Sequence, residues 1–210
     1  DLGLGGFFLR IIWKGLLPII QARICLRQKC RNAKCELQNS QSPYWCEYNN
    51  VYQIYLTKQL IVNERGNKFP DLPHNQSNLL VGDAGSGKST YLQRFFFKST
   101  SYPRYIWNKL SSTYILYITA KDLCISGKEL HDSLKKACFR KKIIICDAID
   151  ELGESESIMR EIVSILNQLS RIGCHLFISC RKSIAEKYER VDDFVKLYKE
   201  KYTLAAWSED

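Results

Sequence analysis

From residue 79 onward, short apolar runs alternate with longer segments in which apolar residues recur at helical spacing. The apolar runs predict β-strands, and the periodic segments predict α-helices. The predicted strands cover 79–82, 114–123, 142–150, 174–181 and 201–207, and the predicted helices cover 88–99, 128–141, 156–173 and most of 183–198. Strands that are apolar on both faces are typical of a parallel sheet with helices on both sides. We therefore expect an α/β fold with three layers and a mostly parallel central sheet.

Residues 2–20 form an apolar segment that Arg10, Lys14 and Pro18 interrupt. A membrane span needs about 20 apolar residues with few charges. Arg10 and Lys14 are four positions apart, so they share one face of a helix. The segment predicts an amphipathic helix that docks on the domain or lies on a membrane surface, and a transmembrane span is the less favoured alternative. No basic stretch precedes it, which argues against a secretory signal peptide.

Polar and turn-forming stretches suggest how the chain is divided. Residues 36–50 are polar, and residues 64–77 contain one glycine and two prolines that interrupt regular structure. We predict a hydrophobic and basic helical segment over 1–40, a linker with a short strand (51–56) over 41–76, the main domain over 77–205, and the start of a further helical domain over 206–210. The first residue is Asp1, and we expect a longer protein.

Composition and charge narrow the choice of partners. Hydrophobic residues make up 45% of the 210 residues and charged residues 25%, which is typical of a folded domain with its own core. The net charge is +9, and much of it lies near the start of the chain. The basic residues there are Arg10, Lys14, Arg23, Arg27, Lys29, Arg31 and Lys34. Such a flank suits nucleic acid or anionic lipid, and it is equally consistent with a solvated face.

The nine cysteines argue for a reducing compartment. Their number is odd, and several lie inside apolar runs, where cysteine behaves as a small hydrophobe. No Cys-x-x-Cys spacing occurs, so no zinc site is indicated. We expect a cytoplasmic protein, with membrane association through residues 1–24 as an open alternative.

The stretch "GDAGSGKS", which begins at Gly82, matches the pattern G-x-x-x-x-G-K-[ST]. A predicted strand precedes it and a predicted helix follows it, which is the context that a phosphate-binding loop requires. A glycine loop with a chance Lys-Ser pair would lack this context. The motif therefore predicts a site for a nucleoside polyphosphate.

Each residue type in the loop has a physical task. Gly82, Gly85 and Gly87 let the backbone curl so that successive N–H groups point at phosphate oxygens. The positive end of the following helix adds to this attraction. Lys88 places a point charge against the β- and γ-phosphates, and Ser89 offers a hydroxyl to Mg²⁺.

The stretch "IIICDAIDEL" contains a second group of candidate residues. Asp147 ends an apolar strand beside the loop and is predicted to hold Mg²⁺ through a bound water. Asp150 and Glu151 follow the strand, and either carboxylate would serve as the general base that polarises water; Glu151 is preferred. The alternative interpretation is that these acids begin the next helix, where carboxylates suit the positive end.

The strand "LFISC" is followed by Arg181. An arginine at this strand end would approach the γ-phosphate and report its hydrolysis. The alternative is a surface arginine in an ion pair.

These motifs together resemble the NACHT-type NTPases of the STAND class of signalling ATPases. The resemblance rests on "LLVGDAGSGKST", on the order aspartate, small residue, apolar residue, Asp-Glu in "CDAIDEL", and on the arginine that ends "HLFISCR". It covers roughly residues 50–210. Cys180 stands where the family usually has a hydroxyl residue, and the spacer between the first two motifs is short.

The resemblance implies a P-loop NTPase fold and a molecular switch with slow turnover. The implied cofactors are ATP or ADP with Mg²⁺. The implied nucleotide contacts are Gly82, Asp83, Ala84, Gly85, Ser86, Gly87, Lys88, Ser89 and Thr90; the implied metal ligands are Ser89 and Asp147; and the implied catalytic residues are Glu151, Asp150 and Arg181. Members rest with ADP, exchange it for ATP when a trigger is sensed, and then self-oligomerise, many of them in innate immunity or defence against phage.

Two other functions remain open on the sequence. The net charge favours a P-loop ATPase that acts on nucleic acid, although the Asp-x-x-Asp-Glu arrangement of acids favours the switch. The apolar segment over 2–20 favours a module that contacts a membrane surface, which is compatible with a switch.

Overall fold

Seven strands form one sheet within the part of the chain that the structure describes. The structure is a computed structural model, and it describes residues 3–39, 61–69, 72–100, 112–151 and 155–204. The strands are β1 (Ile61–Asn63), β2 (Lys68–Phe69), β3 (Asn78–Val81), β4 (Thr113–Thr119), β5 (Lys141–Asp147), β6 (Cys174–Cys180) and β7 (Glu200–Leu204). The helices are α1 (Gly3–Asn39), α2 (Lys88–Thr100), α3 (Ala120–Lys136), α4 (Glu156–Arg171), α5 (Lys182–Tyr188) and α6 (Asp192–Val195).

The strand order is β2-β1-β7-β3-β6-β5-β4. The five strands from β7 to β4 are parallel, whereas β1 pairs with β7 and β2 in the antiparallel sense. The prediction of a mostly parallel sheet is therefore confirmed. The segment over 61–69, which the sequence placed in a linker, adds two strands to one edge of this sheet.

Alternate residues of the central strands pack into two separate cores, one on each face of the sheet. Ile143 and Ile145 of β5 lie in the core that α2 covers, while Ile144 and Cys146 lie in the core shared with α1, α3 and α4. Both faces of β5 are thus buried, which explains its continuous apolar sequence. The three-layer α/β architecture predicted from the sequence is confirmed.

Several boundaries in the sequence prediction are wrong. The helix expected over 128–141 ends at Lys136, and the strand expected over 142–150 ends at Asp147. The largest difference lies between β4 and α3. The strand expected over 114–123 ends at Thr119, and α3 begins at Ala120, not at residue 128. Thr119 caps this helix, since its hydroxyl oxygen accepts a hydrogen bond from the Asp122 N–H at 3.2 Å. The apolar run "YITA" crosses the boundary, so hydrophobicity alone did not reveal it; the cap pair Thr119 and Asp122 was the local signal.

Smaller differences lie towards the C-terminal end. The helix expected over 183–198 is two short helices, α5 and α6. The last strand, expected over 201–207, is β7 and begins at Glu200. The strand expected over 51–56 and the residues 205–210 lie outside the described residues.

Helix α1 docks on the sheet through its second half. Arg23 donates hydrogen bonds to the carbonyl oxygens of Ala137 (2.7 Å) and Cys138 (3.1 Å) and to the Ser112 hydroxyl (3.3 Å). Leu26 is fully buried, and its carbonyl oxygen accepts a hydrogen bond from the Tyr114 hydroxyl at 3.1 Å. The docked residues lie beyond the apolar segment 2–20 that predicted the amphipathic helix, and Leu16, Leu17 and Ile20 of that segment are exposed. No helix among the described residues is long and apolar enough to cross a membrane.

Replacing Arg23 should loosen this docking. Arg23→Ala leaves two carbonyl oxygens without their charged donor, so we expect the free energy of unfolding to fall by about 1.5–3 kcal/mol. Arg27→Ala on the exposed side of the same helix is the matched control and should change stability little. Denaturant unfolding of both variants measures the difference, and equal stabilities would contradict the docking role of Arg23.

Candidate functional site

The loop between β3 and α2 favours glycine for two reasons: a left-handed backbone at Gly85 and Gly87, and a close approach at Gly82. Gly85 and Gly87 have φ angles of +77° and +87°, in the left-handed region that favours glycine. A Cβ added to Gly82 would lie 2.7 Å from the Ser86 hydroxyl oxygen. The loop therefore needs glycine at these three positions, as the motif predicted on other grounds.

Lys88, the first residue of α2, is buried and reaches back into this loop. Its ammonium group donates to the carbonyl oxygens of Gly82 and Asp83, both at 2.8 Å, and to the Ser86 hydroxyl at 3.3 Å. These contacts hold a positive charge inside the curl of the loop. Ser89 is exposed at the start of the same helix, beside that charge.

The three sequence motifs meet at one edge of the sheet. Val81, where β3 ends, is paired with Cys180 of β6, and Cys146 of β5 is paired with Ile178 of β6. Because the strands are parallel, the glycine loop, Asp147 and Arg181 all follow strand ends on the same side. One strand separates β3 from β5, so these two strands lie about 10 Å apart.

Asp147 is held by hydroxyl groups from both neighbouring strands. The residue is only 4% exposed, and its two carboxylate oxygens accept hydrogen bonds from the Tyr117 hydroxyl of β4 and the Ser179 hydroxyl of β6. Burial, and then the Asp147 charge, raise the pKa of Tyr117 well above its usual value, so the phenol remains a donor. A buried carboxylate needs such partners, and here they fix its orientation.

Ser179 also supports the turn that follows Asp147. Its hydroxyl oxygen accepts a hydrogen bond from the Ala148 N–H at 2.7 Å, and its carbonyl oxygen accepts from the Ile149 N–H at 3.2 Å. Ala148 has a φ of +54°, which a side chain disfavours, so the turn depends on this support. The conformation of this turn also determines the position of Asp150.

Sequence reasoning missed both Tyr117 and Ser179. Ser179 left a signal, because it is a hydroxyl residue inside the apolar run "LFISC" one pairing step from the strand end. Tyr117 lies in "YILYI", where an aromatic residue reads as core packing.

Asp150 and Arg181 bind each other. The Asp150 side chain is 5% exposed; one of its oxygens lies 2.8 Å from Arg181 Nε, and the other accepts the Arg181 backbone N–H at 3.1 Å. This is the ion pair that the sequence left open as the alternative for Arg181. Glu151, by contrast, is exposed on the turn.

The helix that follows these acids, α4, begins only at Glu156, so Asp150 and Glu151 do not form its first turn. The alternative prediction, that these acids begin the next helix, is therefore wrong. Both lie in the turn at the strand end instead.

Cys180, the residue that departs from the family pattern, is fully buried. Burial and then the Asp150 carboxylate raise the pKa of its thiol to about 12, while Lys88 acts in the opposite direction. The thiol therefore stays neutral and contributes packing.

The residues present fit a polyphosphate and a magnesium ion. The glycines leave the loop backbone uncovered by side chains of their own, and the Lys88 charge lies within the curl of the loop. For the metal, the Ser89 hydroxyl and the Asp147 carboxylate are the hard oxygen ligands that Mg²⁺ prefers. Each carboxylate oxygen accepts two hydrogen bonds, so one acceptor position on each Asp147 oxygen remains after Tyr117 and Ser179 bind.

A separate groove of about 420 Å³ lies along α4, α5 and α6, where Arg160, Asn167 and Tyr188 contribute to its wall. None of the predicted site residues lines it. The strand-end site and this groove are different surfaces of the protein.

No model of a known protein family matches the sequence, and no curated protein matches it either. Solved structures give weak matches. The cytoplasmic domain of the Type VII secretion ATPase EccC of Thermomonospora curvata is 16% identical over 66% of this chain and 20% of that chain, with a TM-score of 0.44. The Aeropyrum pernix ORC1 protein in complex with DNA is 16% identical over 80% of this chain and 47% of its own, with a TM-score of 0.47.

This chain thus spans about a fifth of the EccC chain and less than half of the ORC1 chain. The fold itself is established by the sheet order together with the glycine loop. It is a P-loop NTPase fold.

Replacing Ser179 should weaken the strand-end network. Ser179→Ala removes a donor to the buried Asp147 and leaves the partly buried Ala148 N–H unpaired, so we expect the free energy of unfolding to fall by about 1–3 kcal/mol. Ser164→Ala, at an exposed position of α4, is the matched control. Thermal and denaturant unfolding would measure the difference in stability between the two variants. A Ser179→Ala protein as stable as the control would contradict a stabilising role for the Ser179 hydroxyl.

Proposed function

We propose that the protein is a slow, Mg²⁺-dependent ATPase that acts as a NACHT-type molecular switch. The observation that carries the proposal is the position of Lys88 inside a glycine loop at the same sheet edge as the buried Asp147. A loop of this shape exposes backbone N–H groups to an anion, and the buried carboxylate offers a metal ligand.

The proposed roles follow from where each group lies. The N–H groups of the Gly82–Thr90 loop and the Lys88 ammonium hold the phosphates. Ser89 and Asp147 hold Mg²⁺, which when bound neutralises charge on the transferred phosphate. Tyr117 and Ser179 keep the Asp147 carboxylate pointing in one direction.

Glu151 is the better candidate for the general base. The two oxygens of Asp150 are bound to Arg181, which leaves that carboxylate poorly placed to take a proton from water. Glu151 is exposed on the adjacent turn and is available to polarise a water molecule. Asp150 instead holds Arg181, and release of that pair would free the arginine to respond to the γ-phosphate.

The switch function rests on the resemblance of the acidic motif and the arginine-ended strand to NACHT proteins. On this proposal ADP marks the resting state, ATP the active one, and activation leads to self-oligomerisation after a trigger ligand is sensed, in innate immune or anti-phage signalling. The second candidate is an ATPase acting on nucleic acid, which the net charge of +9 favours. Salt-dependent affinity for DNA or RNA that is coupled to ATP turnover would support the second candidate over the first.

Removing the loop ammonium should weaken nucleotide binding. Lys88→Ala deletes a charge-assisted contact worth about 1.5–3 kcal/mol, so the Kd for ATP should rise about ten- to a hundredfold. Lys98→Ala, an exposed residue near the end of the same helix, is the matched control. Calorimetric titration with MgATP measures both, and an unchanged Kd for a folded Lys88→Ala protein would refute the nucleotide site.

Glu151→Gln should separate binding from hydrolysis. Losing the general base should slow ATP turnover by about 10²–10⁴-fold and leave ATP affinity close to that of the parent protein. Asp150→Asn is the informative comparison, because it weakens the hold on Arg181 without touching Glu151. If phosphate release stops in Asp150→Asn but continues in Glu151→Gln, the base is Asp150.

A further inference from the structure

Helix α1 carries two stripes of side chains on neighbouring faces. The first stripe is docked on the sheet and consists of Ala22, Leu26, Cys30, Ala33 and Leu37. These residues are spaced by three or four positions, which places them on one side of the helix. This stripe accounts for the attachment of α1 to the domain.

The second stripe begins with exposed apolar residues. Leu16, Ile20 and Ile24 follow each other at intervals of four and are 48%, 44% and 61% exposed. Leu17 beside them is 41% exposed. At 3.6 residues per turn this stripe lies about a third of a turn from the docked one, so the sheet does not cover it.

The same stripe continues as a basic one. Arg27, Arg31 and Lys34 extend it at intervals of three and four, with both arginines exposed and Lys34 half-buried. No ion pair joins these three residues to another described residue. Glu36 is the one acidic residue in the sequence from 15 to 38, and it lies on the side of the helix nearly opposite the stripe. One face of α1 is therefore apolar at its start and positively charged towards its end.

We propose that this face of α1 binds the surface of a membrane that contains anionic lipid. Leu16, Ile20 and Ile24 would enter the boundary between headgroups and acyl chains, while Arg27 and Arg31 contact lipid phosphates. The inference is independent of the nucleotide site and adds a partner to the protein.

The pattern favours lipid over two other occupants. A second copy of the chain packed antiparallel would set the apolar half of one helix against the basic half of the other, and a parallel pair would bring like charges together. Nucleic acid would engage Arg27 and Arg31 but offers nothing comparable for the exposed leucine and isoleucines. An anionic bilayer surface satisfies both halves at once.

Flotation with lipid vesicles tests the proposal on the whole 210-residue chain. Vesicles of phosphatidylcholine are compared with vesicles that also contain phosphatidylserine. The protein should float with the second kind and be released by added salt, because screening weakens attraction to the charged surface. Arg27→Gln with Arg31→Gln should weaken vesicle binding about fivefold for each arginine.

The apolar half has its own variant and control. Ile20→Gln with Ile24→Gln should also reduce flotation, whereas Ile125→Gln, at a 78% exposed position of α3, should not. Lys135→Gln with Lys136→Gln, two exposed lysines of α3, controls for total charge. Because all these positions are at the surface, thermal melting should match that of the parent protein and confirms that each variant is folded.

Several outcomes would overturn the proposal. These are no flotation with phosphatidylserine vesicles, equal flotation with phosphatidylcholine alone, or equal losses in the α3 controls. If the protein does not bind vesicles but light scattering shows a dimer, and the Ile20 and Ile24 changes abolish that dimer, the face binds a second copy of the chain. Binding to DNA without binding to vesicles would assign it to nucleic acid.

Discussion

The buried carboxylate of Asp147 imposes the main constraint on the strand-end region. A charge with so little exposure to water is stable only with hydrogen-bond donors around it, and they come from the two strands on either side. Tyr117 and Ser179 thus join β4, β5 and β6 at one edge of the sheet. The same serine supports the turn through Ala148, so the position of Asp150, and through it of Arg181, depends on how this carboxylate is satisfied.

The order of strands determines how the chemical groups are distributed. Since β6 lies between β3 and β5, the glycine loop and Asp147 stand on opposite sides of the strand that ends in Cys180 and Arg181. The two strands β3 and β5 lie about 10 Å apart. Lys88 is held by loop carbonyl oxygens, so its charge stays within the loop. On the proposed function, the groups that hold the phosphates and those that hold the metal therefore come from different strand ends.

Helix α1 shows how one element serves two different environments. Its docked stripe is held by Leu26 and by the Arg23 guanidinium, which also lies 5.1 Å from the centre of the Phe139 ring. Its exposed stripe has both the apolar and the cationic character of a surface that meets lipid headgroups. Because the docked contacts fix the rotation of the helix, they also decide which residues face outward. The membrane-facing side proposed here is in that sense a consequence of the docking side.

The sequence by itself determined what depends on neighbouring residues. Continuous apolar runs predicted the buried strands, and glycines before Lys88 predicted the loop. The acids were predicted as residues that follow a strand. Each of these patterns reflects a local backbone or burial requirement. What only the tertiary structure decided were pairings between distant residues. Tyr117 and Ser179 lie 30 and 32 positions from Asp147, and no local pattern encodes that they meet. The partner of Arg181, and which stripe of α1 is covered, were likewise set by packing, because an apolar or charged residue shows its own character in the sequence but not the group it will contact.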